Sequence, residues 1–592
     1  MKKIALLAIA LCLLASGLPA AENANNVQKI YPVDSDIYKA ITYLFIDQGY
    51  SLPSTTGPWS GDELLGMLEN VNPDKLSVSA RATYDYALAE LSQHRNTFKF
   101  KLATSVEGYY HTNTTDFTNE SQWIRGFDER NPILDIILET WPSEHFYGYS
   151  SLPVQNSRYN SWSSTEGAVS TLWGASALTT NIPLVAPAVL SDLDFNVPYR
   201  AFGAFGGKGW SVQVGRDKMS WGPGETGNFV MSDNLLYQNM GRIATYGKNF
   251  KYTFATSFFP HPSEYYPVID STTGAFINNG SQCTLASGLN MFIGHRLEWR
   301  GLQNKVGFTL TEAIMYQSAN NTLDLRVLSP TAIFHNYYIR NNANSIISFE
   351  LDYTPFRYVN LYGQAVVDEF ALPGEPVPGV DNDALPNGYG FMAGLKGSYP
   401  IGKGMLFGSA EWAKTDPYLY LRDIGTWAHS QGQGEYGINW VVALREFSQG
   451  TTSYTEDFLG YQYGGDAIVY NANVGYKQFG KWTMEGNVFF MVHGTHDKWT
   501  TWSEVGSGTG DVPNVETPTT THDTVNNGDL NADERDAASY TFVVGARGGY
   551  NILKALEVYG QVDYIHITNP GNISTNAPIS DVQITAGVKY SF

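Results

Sequence analysis

Residues 581–592 read DVQITAGVKYSF, and they end the chain. Val582, Ile584, Ala586, Val588, Tyr590 and Phe592 fall on one side of an extended strand. Gln583, Thr585, Gly587, Lys589 and Ser591 fall on the other, because successive side chains of a strand point to opposite faces. Strict period-two alternation running to a final Phe fits the closing strand of a bacterial outer-membrane barrel, apolar toward lipid and polar toward the lumen. A soluble sandwich strand alternates for the same geometric reason, so features elsewhere have to decide.

The opposite end supplies the first of them. MKKIALLAIALCLLASGLPAAEN carries Lys2 and Lys3, an apolar stretch from Ile4 to Leu14, and small residues from Ser16 to Ala21. This layout predicts a signal peptide over 1–21, too short for a membrane helix. Cys12 raises a lipoprotein reading, but Leu11 before it and the apolar run after it argue otherwise. With the leader gone one cysteine stays, Cys283, so no intramolecular disulfide is expected. Aromatics form 14% of the chain, including 38 Tyr and 14 Trp, residue types that gather at bilayer interfaces. The three features together favour the barrel.

A helical start comes before it. In SDIYKAITYLFIDQG, Ile37, Ala40, Ile41, Leu44 and Phe45 share one helical face, and Gly49 stands where the helix should stop. Ser60-Gly-Asp-Glu63 is a capping box opening a second helix. A third is predicted over 77–92, with Tyr84, Leu88 and Leu91 aligned. The reading is therefore a small helical bundle over 28–95, packed beneath a barrel over 96–592 as its periplasmic domain.

From Phe98 onward the period is two, in segments such as FKFKLATSVEGYY, GWSVQVG, SIISFELDYTPF and KWTMEGNVFFMVH. About fifteen are clear, and an even total near eighteen is expected. Residues 112–195 resist assignment. Counting back from the C-terminus puts TNPGNISTNAPIS, 495–537 and ALPGEPVPGVDNDALPNG in external loops, and NILKA, GKW, SYPIGKG, TPFRY and GLQNK in short inner turns. One segment, INWVVALREF (438–447), breaks the count: it is either part of an external hairpin or evidence of a missed strand.

On this count SVQVGRDKMSWGPGETGNFVMSDN (211–234) ascends and delivers Trp221-Gly222-Pro223-Gly224 to the outer mouth. Pro223 fixes φ, and Gly222 and Gly224 permit a sharp elbow. The elbow is either architectural, folding a loop inward to narrow the lumen, or part of a binding rim.

The chain resembles the Wzi family of outer-membrane capsule-assembly proteins. The residues that carry the resemblance are DSDIYKAITYLFIDQGY, WSGDELLGML, AFGAFGGKGWSVQVGRDKMSWGPGETGNFVMSDN, VNLYGQAVVDEF and LGYQYGGDA. It implies an eighteen-stranded barrel with a periplasmic helical bundle and a lectin-like role in holding exported capsular polysaccharide. An enlarged segment before residue 196 and an acidic insertion after residue 500 depart from the pattern, so sugar specificity does not carry over.

Sugars are held by stacking on aromatic rings and by hydrogen bonds to carboxylates and amides. The outer-face candidates for carbohydrate binding are Trp221, Asp233, Asn234, Asp368, Glu369, Tyr461, Tyr463, Asp466, Trp499 and Trp502. Each has a plainer role available, in an aromatic girdle or at a solvated strand end. The net charge of −20 disfavours nucleic acid as a partner. Surface polysaccharide, outer-membrane lipids and the barrel-assembly machinery are the expected partners. No cofactor is expected. A divalent cation at Asp529, Asn531 and Asp533 is weakened by Glu534, which stands where a calcium loop needs glycine. His493, His496 and Asp497 of HGTHD read as a solvated loop, and no nucleophile–base set suggests a hydrolase. The alternative function is a diffusion porin for small polar solutes, with Ser211, Gln213 and Glu350 lining the channel.

Overall fold

A computed structural model describes residues 27–93, 97–117, 123–126, 129–155, 177–182, 193–194, 196–261, 268–269, 276–277, 288–318, 322–329, 343–369, 388–421, 438–448, 451–498, 516–520 and 535–592. Residues 1–21, expected from the sequence to be a leader, and the proposed cation loop lie outside them.

Three helices come first. The first, α1 (Asp36–Gln48), is capped by Ser35 and ends at Gly49, whose φ of 77° is the left-handed conformation glycine adopts without strain. Ser60 caps α2 (Gly61–Leu68) by accepting from the Glu63 amide at 3.2 Å. The Glu63 carboxylate does not reach back as a full capping box would. It turns to the barrel and pairs with Lys251 at 2.6 Å. The third helix, α3 (Val78–Leu91), starts at Ser77. Ile37, Ile41, Leu44, Leu64, Leu68, Ala87 and Leu91 form a shared core that also takes in Met405 of the barrel.

Eighteen long antiparallel strands then close on themselves, from Phe98–His111 to Ile579–Ser591. The last pairs with the first, Gln583 opposite His111 and Ser591 opposite Ala103. A three-residue strand, Leu178–Thr180, extends the seam beside Gly108–Tyr110. The alternation at the C-terminus is as expected: Ile584, Val588, Tyr590 and Phe592 face outward and exposed, while Asp581, Gln583 and Thr585 are buried inside. Exposed aromatics such as Phe98, Trp210, Phe250, Trp299, Tyr353, Tyr399, Tyr550 and Tyr590 lie on the outer surface near one rim, as in an interfacial girdle.

The two ends differ. Eight turns of two to four residues join strands at one end, and nine connections of ten residues or more emerge at the other. The turns NILKA, GKW, SYPIGKG, TPFRY and GLQNK share the short-turn end, and the strands beside the longer connections open toward the other. The bundle docks on the short-turn end: the Tyr358 amide donates to the Ile46 carbonyl at 2.9 Å, and the Ser79 hydroxyl to Gly402 O at 2.6 Å. The segment INWVVALREF is a hairpin arm, not a missed strand. Its strand Val441–Ser448 pairs with Thr451–Phe458 apart from the barrel, so the count upstream holds.

Two strands in the unassigned region were not legible in the sequence, Leu134–Ser143 and Phe146–Val154. Ile136, Ile137 and Leu138 run consecutively because Ile137, paired with Lys101, lies on the inner face where a polar residue would have completed the alternation.

Candidate functional site

The elbow does not reach a rim; it turns into the lumen. Ser220 and Trp221 pair in antiparallel fashion with Gly57 and Thr56 from the linker between α1 and α2. The Gly222 amide donates to Thr55 O at 3.0 Å. Gly222 has φ 140°, and a Cβ there would lie 2.2 Å from Asn228 Oδ1, so the position demands glycine on both counts. Trp221 is fully buried and meets Phe292 edge-on at 5.5 Å. Their expected placement at the outer mouth is therefore corrected: Trp221, Gly222, Pro223 and Gly224 lie inside the barrel against the N-terminal segment. The physical cause is a partner strand from the N-terminal segment, which parity counting does not include.

Barrel strands hold both inserted segments by charge. Arg296 makes two hydrogen bonds to Glu350, at 2.6 and 2.8 Å, and donates to the hydroxyls of Thr55 and Thr56. Glu298 accepts from Ser54 Oγ at 2.6 Å and the Thr55 amide at 3.0 Å. Arg300 donates to Leu52 O and Pro53 O. Lys251 donates to Thr56 O at 2.8 Å. On the elbow, Glu411 accepts from the amides of Glu225 and Thr226 at 2.7 and 2.9 Å, and Lys396 pairs with Glu225 at 2.5 Å. Burial pushes the Glu225 carboxyl up, but Lys396 outweighs it and holds the group below the usual carboxylate range. Burial drives Glu63 the other way, upward, against the pull of Lys251. Ser211, Gln213 and Glu350, the residues considered for a porin lining, do face inward and are buried, packed under this insertion.

The remaining candidates divide. Tyr461 is buried with the elbow, its hydroxyl 2.9 Å from Thr226 Oγ1, and Tyr463 packs edge-on against it at 5.4 Å. Burial raises both phenols. Asp368 accepts from the Tyr420 amide at 2.7 Å. Asp466, at φ 58°, is fully buried and knits loops, accepting from the Thr519 amide at 3.0 Å, the Thr519 hydroxyl and the His496 amide. These four do not form an accessible sugar platform. They are the stitches of the loop cap, and buried carboxylates must find such donors. Asn234 donates to Phe458 O at 2.9 Å and ties the elbow to the hairpin. Asp233 alone of the elbow candidates is exposed. The side chain of Glu369, and Trp499 and Trp502 altogether, lie outside the described residues. In HGTHD, His493 contacts Gly494 O and Tyr463 O, and Asp497 pairs with Arg535 at 3.1 Å. Among the described residues no group of three or more His, Cys, Asp or Glu is placed to hold a metal.

Among the described residues the insertion meets one side of the lumen. On the other side Arg547 faces inward with 64% of its side chain exposed, paired with Glu485. Toward the long-loop end this wall is covered by residues 112–117, 123–126 and 129–131. There Asp581 accepts from the amides of Thr112 and Asn113 at 2.9 and 2.8 Å. Glu107 accepts from the Asn131 amide at 2.9 Å and the Tyr559 hydroxyl at 2.6 Å. Trp123 lies 4.2 Å from the His111 ring. None of these groups stood out in the sequence, because an inward Asp or Glu in a barrel strand has the same local pattern whether it meets water or a folded-in loop.

No model of a known protein family matches the sequence, and no curated protein does. Among solved structures the chain is similar to Wzi, described as an outer membrane protein involved in group 1 capsule assembly in Escherichia coli and a carbohydrate-binding β-barrel. The identity is 13%, 95% of this chain and 99% of that chain are covered, and the TM-score is 0.53. The likeness is one of fold: an outer-membrane type of barrel. A BenF-like porin from Pseudomonas fluorescens (9% identity, 84% and 99% covered, TM-score 0.36) is more distant. So is the channel DcaP of Acinetobacter baumannii (6%, 84% and 97%, TM-score 0.32).

Proposed function

We propose that this chain is an outer-membrane β-barrel whose long-loop face looks out of the cell, with the bundle and short turns in the periplasm. We infer that this face binds and anchors surface polysaccharide, as in capsule assembly. The observation that carries the reading is the built-in insertion on one side of the lumen: Glu298 and Glu411 accept from its backbone amides, and Arg296, paired with Glu350, donates to the Thr55 and Thr56 hydroxyls. A conduit for solutes gains nothing from that arrangement, whereas a rigid platform for loops does. The similarity of fold to a carbohydrate-binding barrel supports the same assignment. The ligand would meet the loops through exposed groups such as Asp233 and through the segments that contain Glu369, Trp499 and Trp502. Purified protein should bind capsular polysaccharide in pull-down assays, and a deletion strain should shed its capsule. Capsule retention equal to wild type would sink the proposal.

The second reading is a narrow porin, favoured by the water-exposed Arg547–Glu485 side of the lumen. Planar-bilayer recording separates the two: a large steady open current supports the porin, and a closed barrel the anchor.

A further inference from the structure

The strands Trp482–His493, Ser539–Leu553, Leu556–Thr568, Ile579–Ser591 and Phe98–His111 form one continuous wall away from the insertion. Across its inner face Glu485, Arg547, Gln561, Thr585 and Tyr109 stand side by side in register. Water reaches one end of this row and not the other. The Arg547 side chain is 64% exposed, whereas Thr585 is 6% exposed and Tyr109 1%. Exposure falls where residues 112–117, 123–126 and 129–131 fold in over the wall.

The wall is built to receive them in two ways. One is an apolar seat. Phe489, Val543 and Ile565 lie in one inward row with Asp581 near the long-loop end, where a water-filled lumen calls for polar side chains. Phe117 and Trp123 are buried against Val543, Ile565 and Tyr109, with Ile124 and Phe489 packed beside them. The other is a set of inward acceptors that the strand ladder does not use. Asp581 accepts from the Thr112 amide and hydroxyl, both at 2.9 Å, and from the Asn113 amide at 2.8 Å. Gln583 Oε1 accepts from the Ile124 amide at 2.8 Å. Glu107 accepts from the Asn131 amide at 2.9 Å and from its Nδ2 at 2.6 Å, and pairs with Arg125. Water can replace ties of this kind, because the net gain of each is small. A segment held by them and by a small apolar seat has an undocked alternative within reach.

We propose that the Arg547–Glu485 side of the lumen is a passage for small polar solutes, shut at rest by these docked residues, with Asp581 and Glu107 as its latches. The proposal rests on the solvated wall of the second reading above and adds what closes it. Arg547 and Glu485 offset each other's charge, so the passage suits uncharged solutes such as free sugars. It does not depend on what the loop face binds.

The test is planar-bilayer recording of the full-length protein. Wild type should be closed, with rare openings. Glu107→Gln/Asp581→Asn should raise the open probability about a hundredfold, taking about tenfold for each charged latch. Trp123→Ala, which empties the seat and alters no barrel strand, should raise it as well. An unshifted thermal melt shows that each variant is folded. Adding Arg547→Gln to the double variant should turn the current toward cations, because Glu485 is left to act alone. Liposomes holding the double variant should admit arabinose, and those holding wild type should not. A steady open wild-type current, folded latch variants as closed as wild type, or a selectivity indifferent to Arg547 each overturns the proposal. Capsule retention in the deletion strain decides the anchoring reading alone, so failure of one is told apart from failure of the other.

Discussion

Arg296 and Glu350 face each other across an intervening strand and join through two hydrogen bonds of 2.6 and 2.8 Å, with the guanidinium wholly buried. The same guanidinium holds Thr55 and Thr56, so one ion pair both braces the wall and fastens the inserted segment. Removing one partner of a buried pair strands the other, at a cost of about 3–5 kcal/mol. Arg296→Met should therefore lower unfolding stability by about that amount and raise bilayer conductance as the insertion loosens. Arg296→Met/Glu350→Leu should recover much of the stability, because no charge is left unpaired. Its conductance should stay raised, because the ties to Thr55 and Thr56 are still missing. Equal recovery of both would show that the pair does not fasten the insertion.

Trp221 is expected to matter for folding and not for ligand contact. Its ring is fully buried against Phe292 and the elbow backbone. Trp221→Ala should destabilise by about 3–5 kcal/mol, the usual loss for a large core aromatic. Polysaccharide binding measured below the lowered melting temperature should stay near wild type. A selective loss of binding at unchanged stability would return Trp221 to the ligand.

The Glu225–Lys396 pair predicts a pH dependence. The folded-state value of Glu225 is held below the usual carboxylate range by Lys396. A depressed carboxylate contributes stability that is present above its unfolded value, roughly 4.3, and lost as pH falls through the folded one. Melting temperature should therefore drop on acidification below about pH 4.5, and Glu225→Gln should flatten part of that slope. A slope unchanged in the variant would assign it to other carboxylates.

The sequence revealed whatever has a local pattern. The terminal alternation ending in Phe592, the Ser60 cap, the helix stop at Gly49 and the asymmetry of turn lengths all depend on residues a few positions apart, and all appear in the fold. The destination of the elbow did not show, because Ser220 pairs with Gly57 and that choice is made by long-range complementarity. The same holds for Tyr461 and Asp466. An aromatic or a carboxylate beside a glycine turn reads as a rim residue until the Thr226 hydroxyl or the Thr519 amide is known to be waiting for it. A stiff Gly-Pro-Gly turn is as useful for sending chain inward as outward, so its direction is not written in the turn itself.

Asp466 gives the last prediction. Its carboxylate gathers the Thr519 amide and hydroxyl and the His496 amide, while its carbonyl accepts from the Gly494 amide at 2.8 Å. It is fully buried, so Asp466→Ala removes the common acceptor and leaves several donors without a partner inside the loop cap, at about 1–3 kcal/mol for each one that water cannot reach. The barrel strands do not depend on these bonds, so heat stability of the barrel itself should change little. Limited proteolysis should instead cut faster between residues 494 and 520, the span these bonds close. Asp466→Asn keeps an acceptor oxygen but presents an amide nitrogen to at least one donor, so its cleavage rate should lie between wild type and alanine. Proteolysis indistinguishable from wild type in the alanine variant would mean that the loops are held elsewhere, and Asp466 would again be available for a role at the surface.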